Sequence, residues 1–483
     1  MDIQKIKTKV KENRVLILVI ILALIIRIGF TFVSPIKFWD ETVYVNLGHD
    51  LSINPLDYSF ANHGWSDFVP GGLWPKAGFR PPLLPYILSL FYLFKIDFLI
   101  DFLIPVVGAL TVALVYLLGH KLFNKKVGLY SASLLAFVPV HVLYSGKVLN
   151  DVLATFFIVL VIYCFIKGVE ENSKKYKIIF GFVLAVALLS RYTILWVMPL
   201  FPIYLLIRDK SFRFVRDKDL WLAILVFFLT LVPLFFYGLA SYGNPLGAFI
   251  HGFKASTYWG GVQAWYFFLR YGWYMLSIVS VLFIVSLAFL CYSKKYKYKQ
   301  IYLLLIWFWF FFLMVSIMPH KEDRFILPII PAICLICGFF IAKIKRYEKI
   351  VFILIIGFLL FTNFQSFNSN IATYYNTNTK CFLKTMDQLN NIKEDFVTLS
   401  ENPSLIYYFT HKESAFYPDN LNEQNLKQFV DSSHKPVYIV FLKFNSGFET
   451  EKWQNLKEIL KKEYIPYYNC SEDSEVNSIY KNK

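Results

Sequence analysis

Eleven apolar runs divide this chain, centred approximately on residues 15–33, 98–118, 127–143, 152–168, 178–190, 193–207, 220–238, 272–292, 301–318, 325–342 and 350–366. A helix needs about 20 mostly apolar residues to cross the roughly 30 Å of hydrocarbon in a bilayer. Inside that layer each backbone polar group must find a partner within the protein, which helices do by themselves. The expected fold class is therefore a polytopic α-helical membrane protein with about eleven transmembrane helices. The composition agrees, with 57% hydrophobic residues, 19% aromatics and a mean hydropathy of +0.50.

The first run follows Lys5, Lys7, Lys9, Lys11 and Arg14. It exceeds the ~7–15 apolar residues of a signal peptide and lacks a small-residue cleavage site, so it reads as a retained anchor. Five later connectors, at 121–126, 167–177, 208–218, 294–299 and 343–349, are short and basic. Together with the N-terminal arm they hold 25 of the 49 Lys and Arg residues. Basic loops stay in the cytoplasm, which puts these turns and the N-terminus there and makes the +16 charge mainly a topological signal. Charge spread over short turns on one face also argues against nucleic-acid binding, which gathers it into one patch.

The run 81–94 is short and opens on Pro81-Pro82, so it reads as an interfacial helix within the first outer loop, residues 34–97. An odd number of spans then puts residues 368–483 on the non-cytoplasmic side. There 13 Lys and Arg face 15 Asp and Glu, and apolar residues come in short bursts. Residues 396–400 and 436–444 have the pattern of buried strands, while 420–432 and 449–463 have helical spacing. The expected division is thus a membrane domain over 1–367, including the first outer loop, and a small extracytoplasmic α/β domain over 368–483.

Cysteine says little about chemistry. Cys164, Cys291, Cys334 and Cys337 lie in or beside apolar runs, and the Cys334-x-x-Cys337 spacing has no second ligand pair, so they read as packing residues. Cys381 and Cys470 bracket the tail in an oxidising compartment, where a disulfide between them is an expectation that only their approach in space decides. His49 and His63 share the first loop without a third ligand at defined spacing, so no metal site is assigned.

The charges at the outer ends of the runs carry the functional signal. Asp40-Glu41 follows the first run, Arg80-Pro81-Pro82 ends the first loop, and Asp151 opens the fourth run. Arg191-Tyr192-Thr193 separates two runs, and His320-Lys321-Glu322-Asp323-Arg324-Phe325 precedes the tenth. Ionisable groups beside membrane segments are costly unless they meet water, a partner or a substrate. Carboxylates mixed with guanidinium and ammonium groups suit a reaction in which a hydroxyl loses a proton while a phosphate departs with negative charge.

In order and sidedness these motifs resemble the GT-C glycosyltransferases, multi-span enzymes that use polyprenyl-phosphate-linked sugars and include protein O-mannosyltransferases and lipid A aminoarabinose transferases. The resemblance covers the membrane domain and extends to the outer tail. It implies transfer of a sugar to a hydroxyl acceptor on a glycan, lipid or protein, with Asp40 as base, Glu41 beside it and inversion at the anomeric carbon. It implies that Arg191, with His320, Lys321, Arg324 and Arg80, faces the donor phosphate, and that Asp151 and Glu322 position these groups or the acceptor. The stretch from His320 resembles the His-Lys-Glu-x-Arg-Phe motif of dolichol-phosphate-mannose enzymes and favours mannose. No cofactor is required by this chemistry, and a divalent metal ion is compatible with it. The plasma membrane is the expected location.

Two departures weaken protein O-mannosylation specifically: the first loop is short, and the tail has no β-trefoil repeats. Each residue also has a plainer reading. Asp40 and Glu41 suit a helix N-terminus, Arg191 a snorkelling anchor, Asp151 an ion pair with Lys147, and the 320–324 run a self-paired loop. Two rival functions remain open. One is a transporter or flippase for a lipid-linked sugar, which would carry its charges near the bilayer midplane in repeated halves. The other is an inactive glycan-binding membrane protein.

Overall fold

A computed structural model of the chain describes residues 13–33, 39–61, 76–258, 262–295, 298–376, 379–417, 423–442, 451–472 and 475–482. Lys5 to Lys11, His63, and residues 420–422, 443–444 and 449–450 lie outside the described residues. In chain order the residues before the tail begin with α1 (Arg14–Phe32), α2 (Trp39–Ile53), α3 (Leu83–Leu93), α4 (Ile100–Leu122), α5 (Lys125–Phe137), α6 (Pro139–Ser145), α7 (Asn150–Glu170) and α8 (Lys174–Ser190). They continue with α9 (Leu200–Asp209), α10 (Lys218–Tyr242), α11 (Gly247–Tyr258), α12 (Phe267–Arg270), α13 (Gly272–Leu276), α14 (Ile278–Tyr292), α15 (Lys299–Ile317), α16 (Ile330–Ile341) and α17 (Glu348–Asn376). The tail holds α18 (Thr379–Asn390), α19 (Pro403–Thr410), α20 (Glu423–Ser432), α21 (Glu451–Glu463) and five strands.

All eleven apolar runs are helical. Among the described residues, eight helices are long and apolar enough to cross a membrane, and the bent pair α5 and α6 makes a ninth. The other two runs form α8, of 17 residues, and α14, of 15. The protein is a multi-pass integral membrane protein. Helix α3 has 11 residues, too few to cross ~30 Å of hydrocarbon.

The break between α5 and α6 has a local cause. Pro139 has no N–H, so the carbonyl of Leu135 loses its helical donor. The backbone ladder runs from Val138 N to Leu134 O and resumes from Val142 N to Val138 O. Two side chains from other helices fill the gap. Arg27 of α1, fully buried, donates to Leu135 O at 3.3 Å and Ala136 O at 2.9 Å. Asn363 of α17 donates to Phe137 O at 2.8 Å. The same guanidinium reaches Ser145 Oγ at 3.2 Å and His141 Nδ1 at 2.9 Å, so one cation ties α1 to both halves of the broken helix. Gly108 of α4 lets this happen, since a Cβ there would lie 2.8 Å from Arg27 Nε.

The chain divides into two compact units. One comprises Met1–Ser34, Arg80–Leu84 and Phe98–Asn370, and the other Pro35–Phe79, Pro85–Asp97 and Ile371–Lys483. Residues 35–79 and 85–97, expected within the membrane domain, thus group with the tail. In this second unit β1 (Val397–Ser400), β2 (Ser414–Phe416), β3 (Val437–Phe441), β4 (Tyr464–Glu472) and β5 (Glu475–Asn482) form one sheet of order β2-β1-β3-β5-β4. The first three strands are parallel, and β5 is antiparallel to its neighbours. Successive strand side chains point to opposite faces, and β3 feeds two cores accordingly. Tyr438 and Val440 pack with Phe382, Met386 and Leu389 of α18, while Val437, Ile439 and Phe441 pack with Leu426 of α20 and Leu456 and Leu460 of α21. A disulfide joins Cys381 of α18 to Cys470 of β4, the pairing the sequence left to spatial approach.

Candidate functional site

Three helix ends meet in the membrane unit and bring together five of the residues singled out in the sequence. Helix α7 starts at Asn150, so Asp151 occupies its first turn, where a helix favours a carboxylate. Helix α8 ends at Ser190, and Arg191 leaves it in an extended conformation before a short 3-10 turn, Tyr192–Val197. The span Asp323–Ile341 starts at a second 3-10 turn, Asp323–Ile329, preceded by the loop that carries His320, Lys321 and Glu322. Asn150 Nδ2 donates to Ser190 O at 3.0 Å and fixes the first two ends against each other.

Asp151, 1% exposed, is the centre. Its Oδ1 accepts from Arg191 Nη1, and its Oδ2 lies 3.8 Å from Arg324 Nη1. Arg324 also donates from Nη2 to Glu322 Oε1 at 2.8 Å, and its Nε forms an ion pair with Glu322 Oε2 at 2.8 Å. His320 Nε2 sits 3.0 Å from Glu322 Oε1. The two guanidinium groups share the Phe325 ring, at 5.0 Å for Arg191 and 5.8 Å for Arg324, an arrangement that attracts cations to the ring.

Lys321 belongs to the same loop but is aimed by carbonyls. Its Nζ donates to Gln263 O at 3.0 Å and to Met318 O, and its backbone N–H donates to Gln263 Oε1 at 2.7 Å. Burial lowers the pKa of its ammonium below the ordinary lysine value. Arg80 meets the cluster through its backbone: its carbonyl accepts from Tyr192 hydroxyl at 3.5 Å, one residue from Arg191.

Three contributors were not assigned a role from sequence. Tyr144 donates to Asp323 Oδ1, which also accepts the Arg324 backbone N–H at 3.0 Å. Gln263 orients Lys321 from 58 residues away, and Phe325 backs both arginines. Phe325 was visible in the motif, whereas nothing local marks Tyr144 or Gln263. The sequence left two readings of Asp151 open, one that binds the acceptor or positions a basic group and one that pairs it with Lys147. Asp151 pairs with Arg191 and Arg324 instead of Lys147, because the helix begins at Asn150 and Lys147 precedes it; the lysine Nζ lies 5.5 Å from the Tyr144 ring centroid.

This cluster sets three cations, Arg191, Lys321 and Arg324, among three carboxylates, Asp151, Glu322 and Asp323. Arginine has five donors in a planar fork that matches phosphate oxygens. Asp151 is enclosed, but Glu322 has a 29% exposed side chain, so a phosphate can take its place on Arg324 without exposing a buried charge. Among the described residues no group of three or more His, Cys, Asp or Glu is arranged to hold a metal ion.

Asp40 and Glu41 lie in the second unit, in the first turn of α2 and largely buried, at 9% and 3% exposure. The tail holds this helix. Asn46 Nδ2 donates to Ser404 O at 2.7 Å and to Ser404 Oγ at 3.0 Å, and Tyr407 hydroxyl donates to Asp50 Oδ1 at 2.6 Å. His49 stacks on His411, ring centroids 4.5 Å apart. Gly48 allows the loop helix α3 to approach, because a Cβ there would lie 2.6 Å from Leu88 Cβ.

Solved structures share this fold. ArnT from Cupriavidus metallidurans, bound to undecaprenyl phosphate, superposes with a TM-score of 0.75, covering 98% of each chain at 12% identity. The chain has the GT-C fold. The Archaeoglobus fulgidus oligosaccharyltransferase AglB, in complex with an inhibitory peptide and a dolichol-phosphate, matches 98% of this chain and 75% of its own at a TM-score of 0.66 and 14% identity. Within the GT-C fold, residues 79–237 match the family described as dolichyl-phosphate-mannose-protein mannosyltransferase. GPI alpha-1,2-mannosyltransferase 3 of Xenopus laevis is 29% identical over 91 residues, 19% of this chain and 16% of that protein.

Proposed function

We propose that the protein is a GT-C glycosyltransferase that moves a sugar from a polyprenyl-phosphate donor to a hydroxyl acceptor on the non-cytoplasmic membrane face. The observation that carries the reading is the pair of arginines, Arg191 and Arg324, held on the buried carboxylate of Asp151 at the mouths of three membrane helices. A fixed pair of guanidinium forks is suited to a phosphate that gains charge as its bond to the sugar breaks. The bound undecaprenyl phosphate of ArnT and dolichol-phosphate of AglB supply the donor class by analogy.

In this reading the acceptor oxygen attacks the anomeric carbon and its proton passes to the Asp40 carboxylate. The bond from that carbon to the phosphate oxygen breaks, and its electron pair leaves with the polyprenyl phosphate. One displacement inverts the anomeric centre. Asp40 sits in the first turn of a helix, where the positive end of the helix dipole favours the ionised carboxylate a base requires. Arg191, Arg324 and Lys321 take the leaving phosphate, which replaces Glu322 on Arg324, while Asp151 holds both arginines and Glu41 flanks the base. His320 orients Glu322, and Arg80 anchors the neighbouring turn.

Mannose is the proposed sugar, supported by the mannosyltransferase family match and the Xenopus relative. The basic turns support a cytoplasmic N-terminus and a non-cytoplasmic tail. The test is transfer of radiolabelled sugar from a panel of polyprenyl-phosphate sugars in membranes carrying wild-type protein or Asp40→Asn. A donor-dependent product made only by the wild type, with both proteins inserted and folded, supports the reading. Equal product from both removes Asp40 from the role of base, and no product with any donor removes the transferase reading in favour of transport or glycan binding.

A further inference from the structure

A second basic site lies at the other end of the helices that carry the phosphate cluster. Asp151 is in the first turn of α7 and Val169 in its last, about 27 Å apart at 1.5 Å per residue, close to the thickness of the hydrocarbon layer. Val169 lines a cavity of about 310 Å³ between the ends of α7 and α9 and the starts of α8 and α10. Four cations face it: Lys177, Arg208, Arg213 and Arg216.

Two of the four are already committed. Lys177, 3% exposed, donates to Asp217 Oδ2 at 2.6 Å and Asn172 Oδ1 at 2.8 Å. Arg208 forks onto Asp209 at 2.6 and 2.7 Å. These pairs cancel in charge and build a rigid wall. Arg213 and Arg216 form the ends of a single 3-10 turn, Arg213–Arg216. Residues three apart eclipse each other in a 3-10 turn, so both guanidinium groups leave on one side. Among the described residues neither has an acidic partner, and both are exposed. Two like charges on one face repel, an arrangement that an anion between them would relieve.

The surroundings say which anion. Phe212 is 70% exposed, Val215 47% and Trp221 56%, and Trp221 Nε1 donates to Val215 O at 2.7 Å, which ties the turn to the start of α10. From Trp221 an exposed apolar stripe continues along α10 through Ile224, Leu225, Phe228 and Leu229, at helical spacing. A phosphate at the two arginines with acyl chains along that stripe is the shape of a phospholipid. Basic pockets between membrane helices bind acidic head groups in this manner. We infer that Arg213 and Arg216, at the mouth of the 169–220 cavity, form a binding site for the phosphate of an acidic phospholipid, on the membrane face opposite the catalytic cluster.

The test uses the full-length protein in bilayer nanodiscs of phosphatidylcholine containing a minor fraction of phosphatidylglycerol. Native mass spectrometry counts the phosphatidylglycerol retained on release. The variants are Arg213→Gln/Arg216→Gln and, as an equal charge change in another basic turn, Lys294→Gln/Lys295→Gln; monodisperse elution confirms that each is folded. Each arginine at a membrane surface contributes enough that removing both should cut retention at least about tenfold. The proposal expects that loss in the first variant and wild-type retention in the second. Equal retention in all three, or equal loss in both variants, overturns it. A further arm adds millimolar inorganic phosphate to the wild type. Displacement of the phospholipid by free phosphate at that concentration would make this a soluble-anion site and overturn the lipid assignment.

Discussion

Replacing Arg27 with Met should destabilise the protein by about 2–4 kcal/mol. The side chain makes four contacts with other elements, to Leu135 O, Ala136 O, Ser145 Oγ and His141 Nδ1. Hydrogen bonds between membrane helices average ~0.6 kcal/mol each, which gives roughly 2–3 kcal/mol for four. The Leu135 carbonyl would then be orphaned, because Pro139 has no N–H to offer, and an unsatisfied buried acceptor costs ~1–3 kcal/mol. Met returns part of this by removing the cost of burying a cation. Asn363→Leu frees the carbonyl of Phe137 alone, so it should cost about 1 kcal/mol. Reversible unfolding in mixed micelles, titrated with a denaturing detergent, measures both. A change below ~0.5 kcal/mol for Arg27→Met, or a larger loss for Asn363→Leu, would refute the idea that these side chains hold the broken helix.

Three further outcomes are expected. Asp151→Asn should leave Arg191 and Arg324 without their shared carboxylate and raise the KM for the donor about tenfold, the equivalent of ~1.4 kcal/mol, with a smaller change in kcat; steady-state kinetics over a donor titration decides it. Cys381→Ala opens a disulfide that closes 89 residues and should lower stability by roughly 4–5 kcal/mol, read as a Tm that no longer responds to reductant. Burial raises the Glu401 carboxyl to about 7, so the folded state favours its neutral form. Its contribution to stability is fully present below the unfolded value of about 4.5, declines as pH rises from there to 7, and is a net cost above. Glu401→Gln should flatten the Tm profile of the full protein over that window and raise Tm at pH 8, and an unchanged profile would count against the shift.

The membrane helices were legible because bilayer thickness sets a minimum apolar length, and all eleven runs became helical. Their lengths were less legible. Helices α8 and α14 are shorter than a full span, and Pro139 splits another run in two. In the tail, β3 announced itself because a strand buried on both faces reads as a continuous apolar run, and β1 because Val397-Thr398-Leu399-Ser400 alternates apolar and polar residues. The β4–β5 hairpin did not, since segments such as Tyr467-Tyr468-Asn469-Cys470-Ser471 and Glu475-Val476-Asn477-Ser478 mix polar and apolar residues without clean alternation.

The site divides the same way. Charged residues at helix ends stand out in an apolar chain, which is why Asp151, Arg191, Glu322 and Arg324 could be named before their contacts were known. Their mutual arrangement was not readable: spacing left Lys147 open as a partner for Asp151, because it cannot tell where a helix begins. Tyr144 and Gln263 act on residues 179 and 58 positions away, and no local pattern encodes such a contact.

The proposed chemistry divides the labour, with the phosphate held by Arg191 and Arg324 and the proton taken by Asp40. The most direct test is the affinity of purified wild type, Asp40→Asn and Arg191→Gln/Arg324→Gln for undecaprenyl phosphate, measured beside sugar transfer by the same preparations. Asp40→Asn is expected to bind as the wild type does but to transfer nothing, while the double arginine variant loses binding by at least about tenfold. Undiminished binding by the double variant, or weakened binding as the main defect of Asp40→Asn, would contradict it.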